Sequence, residues 1–158
     1  MARKLGIKEA KQRAGRFCAF RERSPNELFE KIQSWGLSEE EAASIVVELS
    51  NDDFVDEQRF ANAFCNDKFQ FNSWGKQKIR AHIYSHRLSD QVVTKALDRI
   101  DPQEYENRLF DLAKSKWDKL NEEEAMKRKQ KTVAFLAQKG FEMDLIWSAI
   151  DRIEQESR

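Results

Sequence analysis

From Ser38 to Glu57 the chain carries eight acidic residues, Glu39, Glu40, Glu41, Glu48, Asp52, Asp53, Asp56 and Glu57, and no basic one. Carboxylates gathered in this way can form an acid/base pair, provided a partly dry pocket separates their pKa values. They can also ligate a hard cation, or simply begin helices. Three of the eight follow Ser38 in a first helical turn, where the macrodipole favours negative charge and exposure is usual. Asp56 suits an N-cap, with Val55 before it and Phe60 placed to close a hydrophobic staple. Capping and surface roles therefore account for each of these residues. Arg59 stands where a capping box would place Glu or Gln, so it either folds back along the acidic surface or reaches a partner.

His82 and His86 are four residues apart, the spacing of two metal ligands on one helix face. No third ligand occurs at a matching local spacing, and no metal is expected. No serine, histidine and acid are arranged for nucleophilic catalysis, and no phosphate loop or dinucleotide fingerprint occurs. Gly75-Lys76 lacks the glycine five residues upstream that a phosphate loop needs. No catalytic residue is assigned, and the chain is read as a non-enzyme without a cofactor.

Basic charge is more suggestive. Residues 1–23 carry Arg3, Lys4, Lys8, Lys11, Arg13, Arg16, Arg21 and Arg23 against Glu9 and Glu22. Residues 68–95 carry Lys68, Lys76, Lys78, Arg80, Arg87 and Lys95 against Asp90, interleaved at their start with Phe69, Phe71 and Trp74. Cations beside aromatics can hold phosphates and stack bases, although a solvated face over core aromatics has the same composition. Lys76, Lys78 and Arg80 crowd a helix start, where the macrodipole disfavours cations, and this points to a partner.

The elements that position these residues are helical. Ala42, Ile45, Val46 and Leu49 follow i, i+3, i+4, i+7, as do Val93, Ala96, Leu97 and Ile100, and again Ile146, Ala149, Ile150 and Ile153. Ser24-Pro25-Asn26-Glu27, Ser38 to Glu41, Asp101 to Glu104 and Asn121 to Glu124 read as capped helix starts, and Gly36 and Gly140 as helix ends. About nine helices follow. Aligning Ile32–Leu37 with Ile83–Leu88 and Leu136–Phe141 brings the three stripes into register, which indicates a repeat. One more helix precedes each pair, over 10–23, 57–69 and 103–120. The predicted fold is all-α: an elongated tandem array of three three-helix, helix-turn-helix-like repeats. Their bounds are 1–54, including the basic N-terminal segment, 55–101 and 102–158. The middle core is expected from Phe60, Phe64, Ile79, Ile83, Val93, Leu97 and Ile100.

Of the 158 residues, 35% are charged, yet the net charge is zero, so the chain is not a bulk phosphate neutraliser. Cys18 and Cys65 are read as reduced. The N-terminus lacks the apolar run of a signal peptide, and no segment approaches the ~20 apolar residues needed to cross a membrane. A cytoplasmic monomer without membrane attachment is expected.

Four stretches, RERSPNELFEKI, FVDEQRFANAFCNDK, GKQKIRAHI and KGFEMDLIWSAI, together resemble the ordered motifs of the regulatory protein RecX family. The matching residues are Arg21-Glu22-Arg23-Ser24 with Glu27-Leu28, then Asp56-Glu57 with Phe60-Ala61, then Gly75 with Lys78-Ile79. The chain departs from the family pattern at His86-Arg87, where Lys-Gly is frequent, and at Lys76, where Pro is frequent. The resemblance implies tandem three-helix repeats and a modulator of the RecA recombinase. Such a modulator would bind the RecA filament on DNA and inhibit its ATPase, strand-exchange and coprotease activities in recombination, DNA repair and the SOS response. Arg21, Arg23, Arg59, Lys76, Lys78, Arg80 and Arg87 are the expected partner-facing residues. A direct contact with single- or double-stranded DNA through basic helices is the competing reading.

Overall fold

The computed structural model describes residues 4–157; Arg3, one of the N-terminal cations, lies outside them. The described residues form nine α-helices, one 3-10 turn and no strand. They are α1 (Ile7–Phe20), α2 (Pro25–Ser34), α3 (Glu39–Asn51), α4 (Glu57–Asn72), α5 (Lys76–Ile83), α6 (Asp90–Leu97), α7 (Pro102–Lys119), α8 (Ala125–Gln138) and α9 (Met143–Glu156), with the 3-10 turn at Tyr84–His86.

Local chemistry sets most of these boundaries. Ser24 and Ser38 close full capping boxes with Glu27 and Glu41, and Asp101 accepts from the Glu104 N–H. Each cap meets an N–H that the helix itself leaves without a partner. Two expectations move. α1 runs from Ile7 rather than Ala10, and Arg21, at its C-cap, is already extended. Asn121–Glu124 does not start a helix: the Glu123 N–H turns back to the Leu120 carbonyl, its carboxylate takes Lys131 Nζ at 2.6 Å, and α8 starts at Ala125.

The chain forms two compact units. One takes residues up to Phe64 with Ile83–Lys95; the other takes Cys65–His82 with residues from Ala96 onward. In the first, α1, α2 and α3 pack around Ala14, Leu28, Ile32, Ala42, Ile45 and Leu49, with Val46 only partly buried. In the second, α7, α8 and α9 pack together and bury Tyr105, Leu109, Leu136, Ile146, Ile150 and Ile153. Of the residues expected in the middle core, all are buried except Phe64, which is half-buried. Ile100 is buried although α6 has already ended at Leu97.

The repeat is written in the backbone. Gly36, Arg87 and Gly140, which the repeat alignment superposes, have φ of 92°, 56° and 98°. Each follows a helix end in the left-handed region, where a side chain costs about 1–2 kcal/mol. The middle turn therefore keeps the shape of its siblings without their glycine. The turns also receive matching contacts. In the first unit the start of α2 meets the 84–88 turn, where Ser24 Oγ lies 2.7 Å from His86 Nδ1. In the second the start of α5 meets the 139–141 turn, the Gly75 N–H donating to the Lys139 carbonyl at 2.7 Å and the Gln77 N–H to the Gly140 carbonyl at 3.0 Å. The Leu5 N–H gives the Trp35 carbonyl the same bond at 3.1 Å.

Candidate interaction surface

The acidic run builds helix starts and ion pairs. The Arg59 N–H donates to Asp56 Oδ1 at 2.7 Å, which makes Asp56 the N-cap of α4. Glu41 pairs with Lys4 at 3.2 Å and Glu48 with Lys11 at 2.7 Å. Two blocks of opposite sign that are separate in sequence thus lie side by side where α1 packs on α3. The Ser38 backbone N–H and Lys4 hold the Glu41 carboxyl below its ordinary value, the opposite of what a general acid needs. No group of three or more His, Cys, Asp or Glu able to hold a metal occurs among the described residues.

Of the seven residues expected to face a partner, three use their donors inside the first unit. Arg59 folds back, its Nε reaching Glu22 at 2.6 Å and its Nη2 the Asp53 carbonyl at 3.1 Å. Arg23 lies over the Phe17 ring at 3.7 Å, donates to the Phe17 carbonyl and is 10% exposed. Arg21 pairs with Glu27 and donates to the Glu22 carbonyl. Arg87 is exposed at its left-handed turn.

The other three stand on α5 in the second unit. Gly75 brings this helix start against the 139–141 turn, since a Cβ on Gly75 would overlap the Gly140 backbone. The Lys76 N–H donates to the Tyr105 hydroxyl at 2.9 Å, and that hydroxyl donates to Glu142. Burial, reinforced by Glu142, pushes the Tyr105 phenol well above its ordinary value, so it remains a donor. Lys76 Nζ lies 5.0 Å from the Tyr105 ring centroid. Lys78 and Lys68 place Nζ 4.6 Å and 5.1 Å from the Trp74 ring centroid, and the His82 ring lies 4.4 Å from the same ring. Arg80 is exposed.

Two cations of this region escaped the sequence reading. Lys139 Nζ donates to the Asn72 carbonyl at 2.8 Å, and burial together with the charge of Lys78 lowers its pKa. Its one sequence signal is its repeat position, shared with Trp35 and His86. Arg108 lies over Phe69 and donates to the Phe69 carbonyl at 2.8 Å and to Ser73 Oγ at 3.0 Å, a cation at the negative end of α4. His86 packs on Phe60 and Phe64 at 4.6 Å and 5.7 Å, while the His82 ring lies tilted by 52° against Trp74.

Helices joined through a left-handed turn, each turn closed by a preceding segment, define an all-α protein of three-helix domains. Two family descriptions match: RecX, second three-helix domain, over residues 56–97, and RecX, third three-helix domain, over residues 103–150. Regulatory protein RecX of Acinetobacter baylyi is 30% identical over 86% of this chain and 82% of its own length. The protein of that name from Oceanobacillus iheyensis is 25% identical over 87% of this chain, which spans about half, 51%, of that relative. The crystal structure of RecX from Lactobacillus salivarius superposes with a TM-score of 0.88 at 17% identity, covering 94% of this chain and 97% of that one. The chain belongs to the RecX regulatory protein family. No helix among the described residues is long and apolar enough to cross a membrane.

Proposed function

We propose that this chain is a non-enzymatic regulator that binds the RecA–DNA filament in the cytoplasm and lowers its ATPase, strand-exchange and coprotease activities. The observation that carries this reading is family membership, through a relative 30% identical over 86% of the chain. The composition of the surface supports it. The α1 and α3 segments pair Lys11 with Glu48, whereas Lys78 and Lys139 enter none of the ion pairs of the described residues and remain available to a partner's charge. We place Lys76, Lys78 and Arg80 on the docking face. Arg21, Arg23 and Arg59 brace the first unit through their own contacts, and Arg87 stands exposed at its turn.

The test is ATP hydrolysis by RecA on single-stranded DNA, with the chain added in increasing amounts. Hydrolysis should fall as the chain approaches equimolar ratio to RecA. Unchanged hydrolysis at equimolar chain over a range of salt overturns the proposal.

A further inference from the structure

The second unit concentrates positive charge around one indole. Lys78 and Lys68 hold their ammonium groups 4.6 Å and 5.1 Å from the Trp74 ring centroid, and the His82 ring packs tilted against the same ring at 4.4 Å. Lys139 closes on the cluster through the Asn72 carbonyl at 2.8 Å, and burial together with the charge of Lys78 disfavours its own charged form. The ion pairs of the described residues include neither Lys78 nor Lys139. Phe71, adjacent to Asn72, is 82% exposed. Gathering like charges, one of them partly desolvated, opposes folding unless an anion returns the loss. Cation–π contact offsets only part of it, about 0.5–1 kcal/mol at an exposed site.

We infer that the Lys68–Trp74–Lys78–Lys139 cluster seats a carboxylate-rich segment of a protein partner, with Phe71 contacting an apolar residue of that segment. Two observations favour an acidic peptide over nucleic acid. The Trp74 ring is already contacted by two ammonium groups and by the tilted His82 ring, which leaves less of it for a base to stack on. The chain is neutral overall, with 28 basic and 28 acidic residues, and so lacks the broad cationic field with which proteins track a phosphate backbone. The inference rests on the filament reading for the partner's identity, and on the cluster alone for the chemistry of what binds. On the filament, it assigns this face to protein rather than to DNA.

The experiment titrates the full chain into two fluorescently labelled probes, a short Asp/Glu-rich peptide containing one Phe and an oligothymidylate of matching charge. The variants are Lys78→Glu with Lys139→Glu and, as the charge-matched control, Lys8→Glu with Arg16→Glu on α1. The wild-type chain should bind the peptide, less tightly as salt rises, and the cluster variant should lose about tenfold or more in affinity while the control keeps it. The pair Lys78→Gln with Lys139→Gln provides the same reading if the glutamates prevent folding. Absence of peptide binding, equal binding by the cluster variant, or tighter oligothymidylate binding that the cluster variant loses would each overturn the inference.

Hydrolysis by the RecA filament, followed in parallel, separates the two ideas. Retained inhibition by a variant that no longer binds peptide overturns the cluster as the partner's seat and leaves the proposed function standing. Absent inhibition by a wild-type chain that binds peptide through the cluster overturns the function and leaves the cluster's chemistry standing.

Discussion

Ser24 is fully buried and serves two neighbours at once, capping α2 at the Glu27 N–H and meeting His86 Nδ1. A neutral imidazole with its proton on Nε2 accepts the Ser24 hydroxyl proton at Nδ1, leaving the hydroxyl oxygen for the Glu27 N–H. Burial holds the His86 pKa below its ordinary 6.5, Arg21 acting in the same direction and Glu27 and Glu30 against it. The unfolded chain then binds this proton more readily than the folded one. Its contribution to stability is complete above pH 6.5 and declines as pH falls from there through the folded pKa. The melting temperature should drop across that window, and His86→Gln should flatten the slope. A variant with the wild-type slope would show that another group titrates there.

Asp56 and Arg59 separate capping from surface charge in the same way. Asp56→Ala removes the cap of α4 and should cost about 1 kcal/mol in denaturant unfolding. Arg59→Ala breaks a pair with Glu22 whose side chains are 44% and 35% exposed, and should cost less than about 1 kcal/mol. Equal losses would contradict the capping role.

Among the elements, the turns are more demanding than the helices. Gly75 is held against Gly140, where a Cβ finds no room, whereas Gly15 lies inside α1 with only the Phe54 ring at 3.6 Å from an added Cβ. Gly75→Ala should destabilise by about 3 kcal/mol, and Gly15→Ala should stabilise by roughly 0.5–1 kcal/mol through helix propensity. Thermal melts of the two variants, moving in opposite directions, check both. The stripes, the capping boxes and the turn glycines were legible in the sequence because each depends on residues within one or two helical turns. The links that join elements were not. Arg108 reaches Phe69 across 39 positions and Lys139 reaches Asn72 across 67, and no local spacing encodes such a meeting. Distance also hid the fate of Arg59, which meets Glu22 across 37 positions; Arg23 reaches Phe17 only six residues back, but the extended break after α1 that folds it there carries no spacing signal.

For the whole molecule, 28 positive and 28 negative residues cancel, and the fold pairs part of the cancellation locally through Lys4–Glu41 and Lys11–Glu48. Their side chains are exposed enough that each pair contributes only about 0–1 kcal/mol. Salt should therefore change the melting temperature little. Inhibition of filament hydrolysis, which relies on charges meeting across an interface, should weaken as ionic strength rises past the point where the Debye length is about 8 Å. A parallel loss of melting temperature and inhibition would trace the effect to folding instead.

The Lys76 N–H, the Tyr105 hydroxyl and the Glu142 carboxylate form one chain of donors and acceptors. Proline at position 76 would delete its first donor, and the buried phenol would keep its bond to Glu142 but lose the one it accepts. The two positions are thus coupled: proline at 76 should cost about 1 kcal/mol more beside Tyr105 than beside a residue that accepts no hydrogen bond there, a difference that a double-mutant cycle in denaturant unfolding reads directly.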